Sequence, residues 1–360
     1  MPAIHVPYAP LTLRAGAHAL ALVRSRGLRP DDVDIVPGAS GGAKWLAIGG
    51  LDRAIFGEFL QVPRDRPLHA IGSSIGSWRM ACLAQADPVA ALARGHDAYI
   101  HDQQYSARPD TREVTDVLGR ALDRLLGPEG VDQILSHPTV RVHVITAIGR
   151  GLAASTRRPI LASALALAAA ANAVSRRTLG TQFTRCLLRS GDEPSPFAHL
   201  DDLPTVHARL TRDNLRAALL ASGSIPLLLE GVAVPDAPGR VHWDGGVTDY
   251  HLDLDFGAGD GLVLYPHFYA ELTPGWFDKR LRHRRGRART HSRTLLIAPS
   301  AEFVARLPGG RIPDRRDFFD CTPEERVRRW SAVLAESERL GDAWRAGLGT
   351  DTLVRDVRAW

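Results

Sequence analysis

The chain has 360 residues, 44% apolar and 24% charged, with a formal net charge of +5. These proportions exclude a disordered or collagen-like chain and suit a globular fold with a large core. Three widely spaced cysteines, Cys82, Cys186 and Cys321, offer neither a disulfide framework nor a zinc site and read as buried thiols.

The N-terminal stretch has no charged start followed by a continuous apolar run, so no secretory signal is expected and a cytoplasmic location is. Residues 15–26 read as a helix, and Pro30-Asp31-Asp32 breaks it before a short strand at 33–36. A Gly-rich turn, Pro37 to Lys44, leads to a helix-compatible stretch at 45–60. The same strand, turn and helix unit recurs at 68–71, 72–76 and 77–85. Further on, 111–126 has helical apolar spacing and 140–148 is rich in β-branched residues, as an interior strand should be. The weakly polar run 160–174 falls short of the roughly 20 residues needed to cross a bilayer and reads as a buried or lid-like helix, with a membrane-surface helix as the alternative. A helix at 214–222, strands at 241–243, 262–265 and 294–298, and an outer helix at 323–346 complete the pattern.

Strands alternating with helices predict an α/β fold: a mostly parallel sheet covered on both faces, with sites at its carboxyl edge. No linker divides the chain, so one catalytic domain over 1–360 is expected, with a basic insertion at about 276–293 and a helical segment at about 322–346.

Three short patterns carry chemistry. Gly72-Ser73-Ser74-Ile75-Gly76 is a G-x-S-x-G between a strand and a helix, where Ser74 would sit in a tight elbow with its hydroxyl over the sheet edge. Ser40-Gly41-Gly42-Ala43-Lys44 occupies an equivalent turn upstream, where inward amides of Gly41, Gly42 and Ala43 can hold an oxyanion and Lys44 adds a cation. Its spacing does not fit a nucleotide-binding loop, because Trp45 follows Lys44. Asp244-Gly245-Gly246 follows a short strand, and its carboxylate can take a serine proton directly if the backbone brings it within reach.

In this order the three patterns resemble those of the patatin-like phospholipase family, and Arg216 to Pro226, RAALLASGSIP, resembles the helix and small-residue turn before the family's aspartate. The resemblance spans about 33–250. It implies a three-layer α/β/α fold, a Ser-Asp dyad of Ser74 and Asp244, no metal or cofactor, and action on acyl esters of lipids. Two positions depart from the family's pattern: Ser40 stands where its first glycine would be, its own N–H still expected to be usable, and Trp45 replaces a further glycine.

Two other readings of the hydroxyl remain. Of the histidines near Asp244, His242, His251 and His267, the chain order of a Ser-His-Asp triad admits His251 or His267, with His251 expected at a surface or strand end, and a non-catalytic lipid-binding relative would keep the fold alone. The arginines and Lys279 between 279 and 293 form either a solvated loop or a contact for anionic membrane, with Trp276 and Phe277 as interfacial side chains. Nucleic acid is not expected as a partner, since no recognition helix or zinc pattern accompanies them.

Overall fold

The computed structural model describes residues 9–257, 259–284, 288–350 and 352–360. Among the described residues ten strands form one sheet: β1 (Leu11–Ala15), β2 (Val33–Gly38), β3 (Leu68–Ser73), β4 (Val140–Gly149), β5 (Phe183–Arg189), β6 (Thr205–Arg209), β7 (His242–Asp244), β8 (Leu262–Pro266), β9 (Thr294–Pro299) and β10 (Arg358–Ala359). Their order is β10-β1-β9-β8-β2-β3-β4-β5-β6, with β7 paired to β4. From β9 to β4 the neighbours run parallel, and the reversals fall at β1, β5 and β7. Helices flank this sheet in a three-layer α/β/α arrangement, the fold class expected from the alternation of elements.

The central strands are apolar along almost their whole length because both faces are covered. In β4 all but one of the ten residues are buried, and β8 and β9 are buried throughout. The helix Thr111–Leu126 forms where its spacing predicts, with Asp110 accepting from the Glu113 amide at its start and Val117, Ala121, Leu122 and Leu125 turned inward.

Several elements differ from expectation. Ala15 ends β1 rather than starting a helix, which begins at Ala17. The helical stretch after the Gly-rich turn changes type twice, from a 3-10 segment (Gly42–Ile48) through an α-helix (Gly49–Ala54) to a π segment (Ile55–Phe59). The expected outer helix is two, Pro323–Glu336 and Glu338–Leu348, each with one face exposed and the other packed inward: Trp330 and Trp344 are buried, and the Ser337 hydroxyl between the helices accepts from the Gly50 amide. The helix Pro88–His101 and the strands β5, β6 and β10 lay outside the sequence reading. Cys82 and Cys186 are buried free thiols as expected, but Cys321 is only half-buried. Among the described residues no helix is long and apolar enough to cross a membrane.

The register of β4 positions everything that follows. One edge of β4 is taken by β5; along the other, β3 pairs with Val140 to Ile145 and β7 with Thr146 to Ile148. β3 ends opposite Ile145, while β7, running the opposite way, ends with Asp244 opposite Thr146. Two strands therefore share one edge and meet head to head, so the residue after β3, Ser74, and the last residue of β7, Asp244, are forced together.

The junction is tight enough to demand glycine. A Cβ on Gly76 would lie 1.9 Å from the Gly38 carbonyl oxygen, and one on Gly72 would lie 2.4 Å from the Ser77 nitrogen. Gly76→Ala should therefore destabilise the fold by about 3 kcal/mol or leave it unfolded. Urea denaturation checks this, and a midpoint within error of the parent would contradict it.

Candidate active site

Ser74 occupies the turn between β3 and the helix Ile75–Leu83, at φ 57° and ψ −131°. Such a conformation costs a non-glycine residue about 1–3 kcal/mol and persists only where neighbours hold it. Ser222, at the end of the helix Leu215–Ser222, holds it. Its Oγ accepts from the Ser74 amide at 2.9 Å and from the Ser77 hydroxyl at 2.8 Å, and donates to the Ile145 carbonyl at 2.6 Å. A hydroxyl has one donor and two acceptor sites, and all three are used.

Asp244 is fixed from both sides. Its amide donates to the Ser224 carbonyl at 2.8 Å, and its Oδ1 accepts from the Gly246 amide at 2.6 Å. The other carboxylate oxygen, Oδ2, accepts from the Ser74 hydroxyl at 2.7 Å. Gly245 packs where a side chain would strike the Ile145 carbonyl. Burial raises the Asp244 carboxyl to about 6, opposed by the Ser74 and Gly246 hydrogen bonds and by the charge of Lys279.

The Gly-rich turn lies beside this pair. The amides of Gly41, Gly42 and Ala43, at the start of the 3-10 segment, donate to no protein group among the described residues, and all three residues line the same cavity as Ser74. Ser40 does not join them. Its N–H donates to the Tyr250 carbonyl at 2.8 Å, so the expectation that this amide is usable is wrong, and its hydroxyl instead pairs with Ser73 Oγ at 2.9 Å.

The cavity has a volume of about 1480 Å³. Much of its wall is apolar or aromatic, with Val114, Leu118, Ile225, Leu229, Phe268 and Phe318 among its residues. Lys44, Lys279 and Arg315 supply a cationic side. Lys279 sits 4.0 Å above the Tyr250 ring, and burial, reinforced by Lys44 and Arg315, pushes its ammonium down to about 7. Lys44 is likewise held below its ordinary value by burial, with Asp314 opposing.

The three histidines of the alternative triad are seated elsewhere. His242 exchanges a hydrogen bond with Thr146 Oγ1 at 2.8 Å, and His267 Nδ1 accepts from the Tyr269 amide at 2.9 Å. His251 lines the cavity but is buried, not at the surface, and its Nδ1 accepts from the Thr273 amide. None of the three bonds to Ser74 or Asp244. Among the described residues no group of three or more His, Cys, Asp or Glu side chains is placed to hold a metal ion.

No protein-family model matches this chain, and no curated protein matches it.

The basic stretch is divided between inward and exposed side chains. Arg285 and Arg287 lie outside the described residues, as do the side chains of Arg282 and Arg289. Of the rest, Arg280 and His283 are exposed, Lys279 lines the cavity, Arg284 donates to Asp278 and to the Ala173 carbonyl, and Arg293 donates to the Gly261 and Phe256 carbonyls. His291 bonds to Asp253 at 2.6 Å. Phe277 packs beside the helix Arg158–Val174 rather than standing free.

Ser222 is the residue that sequence reasoning missed; it stood only as the end of a helix in the RAALLASGSIP stretch. Because the buried Asp244 carboxyl is raised from 3.8 to about 6, its ionised form costs roughly 3 kcal/mol of folding free energy. The folded state holds the proton more tightly, so stability falls as pH rises from 3.8 to about 6 and stays low above it. Asp244→Asn should accordingly raise Tm at pH 8, with the gain shrinking toward pH 4. A lowered Tm at pH 8 would contradict the burial argument.

Proposed function

We propose that this chain is a metal-independent carboxylic ester hydrolase of the patatin-like kind, acting on acyl esters of lipids through a Ser74-Asp244 dyad. The observation that carries the reading is the 2.7 Å hydrogen bond from the Ser74 hydroxyl to Asp244, at a strained elbow opening into a large, mostly apolar cavity. A hydroxyl bonded directly to a carboxylate of raised proton affinity is activated without an intervening imidazole.

In the first step Ser74 Oγ attacks the ester carbonyl carbon while its proton passes to Asp244 Oδ2. The carbonyl oxygen becomes an oxyanion held by the free amides of Gly41, Gly42 and Ala43, each donor contributing a factor of about 10² to 10³ in rate. Collapse breaks the bond to the alcohol, which leaves with the proton from Asp244. Water then gives a proton to the same carboxylate as it attacks the acyl-enzyme, and the proton returns to Ser74 as the acid departs.

The cavity volume of about 1480 Å³ exceeds the usual range for a small-molecule site and suits a long acyl chain. The proposed setting is cytoplasmic, with the enzyme working at a membrane surface. Neither a nucleic acid nor a cofactor is part of the scheme.

Ser74→Ala should lower turnover of a soluble short-chain ester by about 10⁴-fold or more with the fold intact by circular dichroism. Retained turnover would refute the assignment. In the parent, kcat/KM should fall about tenfold per pH unit below pH 6, the value at which Asp244 takes up its proton. Lys279→Met removes a charge that favours the carboxylate, so this acid limb should move to higher pH; a shift to lower pH, or none, would sever Lys279 from the site.

A further inference from the structure

The helix Arg158–Val174 carries no ionisable residue from Pro159 to its end, although one whole face of it is exposed. Leu161, Ala164, Leu165 and Ala168 pack against the body of the protein, and Asn172 donates to Asp278 at 2.8 Å. On the opposite side Ala162, Ser163, Ala166, Leu167, Ala170, Ala173 and Val174 are exposed, the Ser163 hydroxyl donating back to the Pro159 carbonyl at 3.0 Å. These positions recur at helical spacing, so they form one strip that is apolar apart from Ser163. Leu167 is 52% exposed and Val174 85%. A helix whose outer face would ordinarily carry charge is here apolar instead.

Two further observations indicate what covers it. The first is charge: Arg157 and Arg158 are exposed at one end of the strip, and Arg177 and Arg280 near the other. Of the acids nearby, Asp202 and Asp278 are paired with Arg176, Arg185 or Arg284, and Glu230 shares a small pocket with Arg158. The second is position. Arg158 donates to the Leu227 carbonyl, next to Leu228, a cavity-lining side chain that is 44% exposed. The other end is tied to Asp278, between Trp276 and Lys279, both of which line the cavity. The helix thus runs beside the cavity mouth, anchored at both ends to segments that form its wall.

We propose that the helix Arg158–Val174 is a membrane-seating element that lies in the plane of an anionic lipid surface, its apolar strip in the acyl boundary and its flanking arginines on the headgroups. It is too short to span. Interfacial helices of ordinary kind need a polar face toward water; here the protein body takes that place. The basic stretch 279–293 contributes through exposed residues such as Arg280, while Arg284, His291 and Arg293 are committed inward. Seating would bring the cavity mouth to the lipid surface.

The test uses full-length Ser74→Ala protein, so that vesicle binding is read without any hydrolysis and stands apart from the catalytic assignment. Sedimentation with phosphatidylglycerol vesicles should show binding that weakens in high salt, while pure phosphatidylcholine vesicles should bind less. The double substitution Leu167→Glu, Val174→Glu changes two exposed side chains and should weaken partitioning by about tenfold or more. In the otherwise native protein the same pair should leave soluble-ester turnover unchanged. No binding by Ser74→Ala, or binding that the double substitution leaves intact, would overturn the proposal. So would a dimer by analytical ultracentrifugation that the double substitution dissociates, since a second copy would then cover the strip.

Discussion

The hydrogen bond between the Ser74 hydroxyl and Asp244, 2.7 Å long across 170 positions of chain, depends on a feature of strand register. β4 is long enough to carry two partners end to end on one edge, and their meeting point lies at the carboxyl end of β3. A parallel strand leaving the sheet and a short antiparallel strand arriving from the other direction cannot continue past each other. One must turn sharply, which gives the elbow its positive φ, and the other must stop, which leaves a carboxylate facing the turn. The glycines around the junction follow from the same crowding, because a side chain at Gly72 or Gly76 would overlap backbone.

That arrangement sets two demands against each other. The junction is buried, and burial raises the proton affinity of Asp244, which makes the carboxylate a better base and a worse contributor to stability at neutral pH. Ser222 offsets part of the strain: one hydroxyl fastens the Ser74 amide, Ser77 and the Ile145 carbonyl together, tying the elbow to the strand that defines the junction. The glycine turn contributes in another way, through amides that the start of a 3-10 segment leaves without internal partners.

Much of this was legible before any coordinates. The alternation of apolar strands with helices indicated a mostly parallel sheet covered on both faces, and the three short patterns placed Ser74, Asp244 and the Gly41 to Ala43 turn at strand ends. What could not be read was anything decided by pairing between distant segments. β5 and β6 lack a distinctive pattern of their own and become strands by packing beside β4; β10 has only two residues and exists through β1. The Ser40 amide looked free because its acceptor, the Tyr250 carbonyl, comes from the segment after β7. His251 was expected near a surface, yet the Thr273 amide and the rings of Tyr250 and His267 enclose it. The cluster of cations at 279–293 read as either a solvated loop or a contact for anionic membrane, whereas Asp278 and Asp253 draw Arg284 and His291 inward.

Reactivity of the Ser74 hydroxyl is the most direct measure of whether the strand junction makes a nucleophile. A fluorophosphonate probe, followed by peptide mapping, should modify Ser74 in the native chain at pH 8 and do so at least about a hundredfold more slowly once Asp244 is replaced by Asn. Modification of some other residue, or equal rates at Ser74 with and without the carboxylate, would contradict the account.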